Sequence, residues 1–117
     1  MPKLSKATAA HVEDMGVMVG HYGELDGYTV GFEHFREDAD GTPLFRGLPD
    51  DRCQANHWGY LFKGHLIVDY GDRTEEIRGG QAYHVLPGHS LTFVEDSDAL
   101  EFTRTEELEQ TFEAVRR

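Results

Sequence analysis

Cys53 and His57 stand four residues apart in the middle of the chain, in the arrangement Cys-x-x-x-His. Asp51 precedes Cys53 by two positions, so Asp51, Cys53 and His57 share parity. A straight strand would turn all three to one face. A thiolate with imidazoles suits zinc, whereas a carboxylate with imidazoles suits iron(II). His89 follows Pro87-Gly88 and can either line a pocket or brace the bulge that such a dipeptide forces on a strand. Cys53 is the sole cysteine and forms no internal disulfide; a lone cysteine is also often a small buried hydrophobe. The remaining histidines carry less. His11, His21 and His34 have no partner at ligand spacing, and His65 and His84 fall on predicted strands, with His65 turned outward. The chain contains no phosphate-cradling glycine loop and no dinucleotide fingerprint.

The elements that would hold these residues are short and glycine-punctuated. Thirteen glycines are spread along 117 residues, the pattern of many strands joined by tight turns. Tyr28–Phe35 reads as a strand with Tyr28, Val30 and Phe32 on one face. Residues 36–51, which include the acidic run Glu37-Asp38-Ala39-Asp40, are long for a connection, so they form either a functional loop placed to act as a lid or hold a short element of their own. His57–Lys63 reaches Gly64, His65–Tyr70 ends at the hairpin dipeptide Gly71-Asp72, and Thr74–Arg78 pairs back. Tyr83–Leu86, Ser90–Glu95 and Ala99–Thr103 complete the strands, the last two separated by Asp96-Ser97-Asp98. Ala7–Asp14 reads as a helical candidate. After Thr105, Leu108, Phe112 and Val115 fall on one helical face. Glu106 and Glu107 lie in the first turn and Arg116 and Arg117 at the end, which suits a short amphipathic C-terminal helix over about 105–117.

Eleven Lys and Arg against twenty-two Asp and Glu give a formal charge of −11. That balance argues against nucleic acid, whose binding rests on basic residues, and against anionic membranes. No stretch approaches the length of a membrane span, and Met1–Ala10 lacks the apolar run of a signal peptide, so a cytoplasmic protein is expected. The length suits one domain, 1–117, with a barrel core over about 28–103.

Two segments carry a resemblance. His57-Trp58-Gly59-Tyr60-Leu61-Phe62-Lys63-Gly64 and Gly80-Gln81-Ala82-Tyr83-His84-Val85-Leu86-Pro87-Gly88-His89 together resemble the two motifs of the cupin superfamily. The resemblance implies an all-β, cupin-like jelly-roll β-barrel. It also shows departures. Counted back from Gly64, the family's Glu position falls on His57 and its two His positions on Asp51 and Cys53. In the second motif the His position falls on Leu91, with His89 one strand period earlier.

If the shared face of Asp51, Cys53 and His57 lines such a barrel, His89 meets it from the other side. Cys53, His57 and His89 would then suit zinc, with Asp51 as the alternative third ligand in a set suited to iron(II). Tyr60, Tyr83, Leu61 and Leu91 are the candidate pocket residues. Alternation places His57, Gly59 and Leu61 on one strand face and Trp58, Tyr60 and Phe62 on the other. That aromatic face needs cover from the N-terminal segment, the C-terminal helix or a second subunit, and a homodimer is expected. Two functions follow: a metal-dependent enzyme of oxygenase or isomerase type acting on a small organic molecule, or a metal-free binding or sensing barrel.

Overall fold

The structure, a computed structural model, describes residues 2–36 and 39–115. Eight strands precede one helix: β1 (His11–Asp14), β2 (Met18–Leu25), β3 (Tyr28–Phe35), β4 (Ala39–Asp40), β5 (His57–Asp69), β6 (Thr74–Arg78), β7 (Ala82–Val85), β8 (Ser90–Arg104) and α1 (Thr105–Val115). They form one antiparallel sheet in the order β1-β2-β3-β8-β5-β6, with β4 on β8 and β7 on β5. Among the described residues no helix is long and apolar enough to cross a membrane.

Turn chemistry sets the hairpins. Asp26 and Gly27 both have positive φ, 49° and 83°, as a two-residue turn requires, and they fix the β2–β3 register from Leu25↔Tyr28 to Met18↔Phe35. Tyr70 N donates to Arg73 O at 2.9 Å, closing the Gly71-Asp72 turn between β5 and β6.

Three expectations from the sequence change, and a fourth, open between a functional loop and a hidden short element, resolves to the second. Ala7–Asp14 is not helical: Ser5–Thr8 turns and His11–Asp14 pairs with β2, because a sheet edge offers this segment partners that its local propensity does not reveal. Gly64 does not end a strand. It sits at φ 111° within a single β5 whose pairing with β8 shifts register between Leu61 and Leu66. Asp96-Ser97-Asp98 likewise lies within a continuous β8. Ser97 is fully buried, accepts from His65 N at 3.0 Å and donates to Glu95 O at 2.8 Å, so the bulged strands are stitched rather than broken. The 36–51 segment holds β4 and two short 3-10 turns, Thr42–Phe45 and Pro49–Asp51, and its Phe45 and Leu48 pack against Cys53 and Ala55. Glu37, Asp38, Arg116 and Arg117 lie outside the described residues.

The sheet curls around Phe35, Leu61, Leu66, Val68 and Phe93, each at most 1 % exposed, with the Phe35 and Phe93 rings 4.8 Å apart. Burying side chains of this size contributes about 1.5–3 kcal/mol each. On β5, alternation runs as expected: His57 and Leu61 point in, and Trp58, Tyr60 and Phe62 point out. With Phe102 on β8 these aromatics stay 37–57 % exposed, so neither the N-terminal segment nor α1 buries them.

Candidate functional site

Cys53 and His89 are brought together by the backbone. They form an antiparallel bridge in which Cys53 N donates to His89 O at 2.9 Å, and Gly88 N donates to Cys53 O at 2.8 Å. Gly88 has φ 87°, a conformation that glycine adopts at no steric cost, and this turn delivers His89 into the interior. His57 opens β5 four residues after Cys53. The ligand atoms of Cys53, His57 and His89 all lie within 4.8 Å of one another. In a tetrahedral zinc site such atoms stand about 3.5 Å apart, and Cys53 Sγ is already 3.5 Å from His57 Nε2.

Each imidazole has one nitrogen committed elsewhere. His57 Nδ1 lies 2.7 Å from Thr103 Oγ1 and 3.3 Å from Glu101 Oε1, so this nitrogen is engaged by the wall and Nε2 faces Cys53. His89 Nδ1 donates to Leu86 O at 2.7 Å, so the ring both braces the Pro87-Gly88 turn and faces inward. Its Nε2 is buried without a hydrogen-bond partner. Burial lowers the His89 pKa to about 4, opposed by the Leu86 carbonyl and assisted by Arg52, so at neutral pH that nitrogen carries a free lone pair. An orphaned buried acceptor beside a thiol and a second imidazole is the polar environment a metal ion satisfies. Burial pushes the Cys53 thiol up, but the hydrogen bond and charge of His57 and the hydroxyl of Thr111, 3.2 Å from Sγ, outweigh it and hold the thiol below its ordinary value.

Asp51 is not brought to this cluster. Pro49–Asp51 coils into a 3-10 turn, which breaks the parity a straight strand would have kept, and the exposed Asp51 carboxylate accepts from Gly47 N at 2.9 Å. Of the expected pocket residues, Tyr83 and Leu91 line an interior cavity of about 50 Å³ together with the cluster. Leu61 points inward but is sealed in the core, and Tyr60 points outward, 40 % exposed, against Phe62. His65 and His84 pair with Glu76 and Asn56, both at 2.9 Å.

Sequence reasoning missed two carboxylates in the cavity wall. Glu33 on β3 and Glu101 on β8 share a face, since Glu101 pairs with Gly31. Tyr22 OH donates to Glu33 Oε2 at 2.6 Å and Tyr83 OH to Glu101 Oε2 at 2.5 Å. Burial, then the Glu101 charge, raises Glu33 well above the usual carboxylate range; burial also raises Glu101. With both ionised, Glu33 Oε1 has no partner. A proton on Glu33, donated to Glu101, is what satisfies it. Hydrogen bonds then link Tyr22, Glu33 and Glu101, while Glu101 Oε1 stands 3.3 Å from His57 Nδ1, whose own hydrogen bond goes to Thr103 Oγ1. The available signal was an acidic residue at the in-facing parity of two apolar strands, Phe32-Glu33-His34-Phe35 and Leu100-Glu101-Phe102.

Helix α1 closes the cavity with Leu108, Thr111 and Phe112. It is pinned by Glu107 Oε1, which accepts from Asn56 N and Nδ2, both at 3.0 Å.

A curled antiparallel sheet with Cys53, His57 and His89 inside it and a helix across one end is a cupin fold, and solved structures bear this out. An RmlC-like cupin from Shewanella frigidimarina matches with a TM-score of 0.61 at 15 % identity, covering 83 % of this chain and 86 % of that one. Ectoine synthase from P. lautus matches at 0.67 and 10 % identity, over 89 % and 78 %. KdgF from Halomonas sp. matches at 0.57 and 14 % identity, over 80 % and 87 %. At these identities the likeness is one of fold. No protein-family model matches the sequence, and no curated protein matches it.

Proposed function

We propose that this chain is a cupin-fold metalloprotein in which Cys53, His57 and His89 bind one divalent metal, and that it acts as a metal-dependent enzyme on a small organic molecule in the adjoining cavity. The observation that carries this reading is His89 Nε2, buried, neutral and without a partner next to the thiol and second imidazole. One thiolate and two imidazoles with a fourth position open favour zinc; iron is the other candidate. Bound there, the metal supplies a Lewis acid or an activated oxygen donor.

The chain's own residues supply the rest. Glu101 orients His57 through Nδ1, and Glu33 keeps a transferable proton beside the cavity. Leu108 and Phe112 of α1 exclude water from its mouth.

The test is elemental analysis of the purified chain before and after reconstitution. Near one equivalent of metal is expected, lost in His89→Ala and in Cys53→Ala. Zinc would support Lewis-acid chemistry such as isomerisation, and iron would support oxygen chemistry. No metal after reconstitution refutes the proposal. It would favour a metal-free binding or sensing barrel, a reading supported by the contacts of Cys53 Sγ with His57 and Thr111, which give the thiol partners without an ion.

A further inference from the structure

The face of the sheet turned from the cavity carries two rows of apolar side chains that cross the strands. One row runs Val30, Phe102, Trp58, and the next Phe32, Leu100, Tyr60, each residue the cross-strand partner of the one before. Phe62 stands one strand period beyond Tyr60. The chain covers only the β3 end of these rows. Leu4 lies over Gly23, the cross-strand partner of Val30, and Val30 is 2 % exposed. Helix α1 is engaged at the cavity, and Trp58, Tyr60, Phe62 and Phe102 are left open.

The open rings are held in place. Trp58 stacks on His84 with centroids 4.6 Å and planes 11° apart, and Tyr60 meets Phe62 edge to face at 5.3 Å. His84 Nε2 is in turn tied to Asn56 Oδ1 at 2.9 Å. Rings fixed in advance lose little freedom on docking, which favours association.

Area and charge choose the occupant. Four aromatic side chains at these exposures leave about 350 Å² open, against the roughly 800 Å² that each partner buries in a stable dimer. They form the apolar centre of an interface, and a polar rim supplies the remainder. The chain carries −11, so two copies repel where their acidic surfaces meet. The two rows contain no acidic side chain. On their border Asp98 is paired with His34 and Lys63, at 2.9 and 3.4 Å, and Glu107 with Arg104 at 3.9 Å. A strongly charged partner finds no complement in such a face, whereas a second copy does.

We propose that this face is the interface of a homodimer, two copies meeting through Trp58, Tyr60, Phe62 and Phe102 about a two-fold axis near Tyr60. Tyr60 stands midway between Trp58 and Phe62 on β5, so the axis lays Trp58 of each copy against Phe62 of the other. The pairing needs neither metal nor ligand in the cavity.

Trp58 is the sole tryptophan, so its fluorescence reports on this face alone. The full chain is followed by sedimentation velocity and by acrylamide quenching, from nanomolar to high micromolar concentration. The expected species has twice the 13.3 kDa mass of one chain, with Trp58 shielded from acrylamide in the dimer and open in the monomer. Added salt should tighten the pairing, because it screens the repulsion between two chains of like charge. Phe62→Glu should raise the dissociation constant at least a hundredfold. Val12→Glu, at an exposed apolar residue of β1, should leave it unchanged. A monomer at every concentration, even one whose face takes up detergent or another protein, would overturn the interface. So would a dimer in which Trp58 stays open to acrylamide, one that salt drives apart, or one that Phe62→Glu leaves intact. Should Phe62→Glu fail to fold, the shielding of Trp58 in the unaltered chain decides.

Discussion

Replacing His89 with Gln in the metal-free protein should remove a pH dependence of stability that can be worked from the burial of the ring. His89 titrates at about 4 in the folded chain against an ordinary value of 6.5. Between those values the unfolded chain holds a proton on this residue that the folded chain refuses, so stability is lost as pH falls. The sign is that of a depressed folded pKa: the contribution is complete above pH ~6.5 and gone below pH ~4. The full span amounts to about 3 kcal/mol, and the part lost between pH ~7.5 and ~5 to about 2 kcal/mol.

Glu33 and Glu101 act with the opposite sign, because their folded pKa values are raised and acid relieves them. They are present in both proteins and cancel in the difference. Urea unfolding at the two pH values gives the measurement. The stability difference between the unaltered chain and His89→Gln should be widest at pH ~7.5 and narrower by about 2 kcal/mol at pH ~5. A difference that stays constant across that range would refute the claim that His89 is held neutral by burial.

Gly64→Ala places a methyl group 1.9 Å from Ser97 Oγ at a φ of 111°. Strain at that φ and the broken Ser97 hydrogen bonds should cost about 3 kcal/mol or more, and a thermal melt unchanged by the substitution would contradict the stitched bulge. Glu101→Gln should weaken metal affinity about 10–100-fold by loosening the hold on the His57 ring, measured by competition with a chromophoric chelator. Stripping metal should lower the melting temperature, and zinc at one hundred times its Kd should restore about 2.7 kcal/mol.

How much of this was legible depends on whether a residue's role was local. β3 was readable in its bounds, Tyr28–Phe35, but the alternation of Tyr28, Val30 and Phe32 marks the face turned from the cavity, which Glu33 and Phe35 line. Cys53, His57 and His89 could be singled out by chemistry and by the Pro-Gly turn. Gly64 and Ser97 misled because each looks like a break in isolation; only their mutual packing across β5 and β8 shows a bulge. Asp51 misled because parity holds along a strand and not around a 3-10 turn. Glu33 and Glu101 were passed over since acidic residues usually mark a solvated face, and their meeting requires the β3–β8 register, which links positions far apart in the chain.

The long β8 has a consequence for assembly. It pairs with β3, β4 and β5, so the middle of the sheet is the strand made last. Until Ser90–Arg104 leaves the ribosome, β3 and β5 each present an unpaired edge, and the contacts that close the interior are all long-range ones of the kind that form slowly. Cys53 and His57 are synthesised before His89 and well before α1. The thiol therefore spends the early life of the chain open to oxidants and to stray metal, protected only when the last strand and helix are in place. Nascent chains released early, before β8, should be the population that aggregates, joined through those two waiting edges.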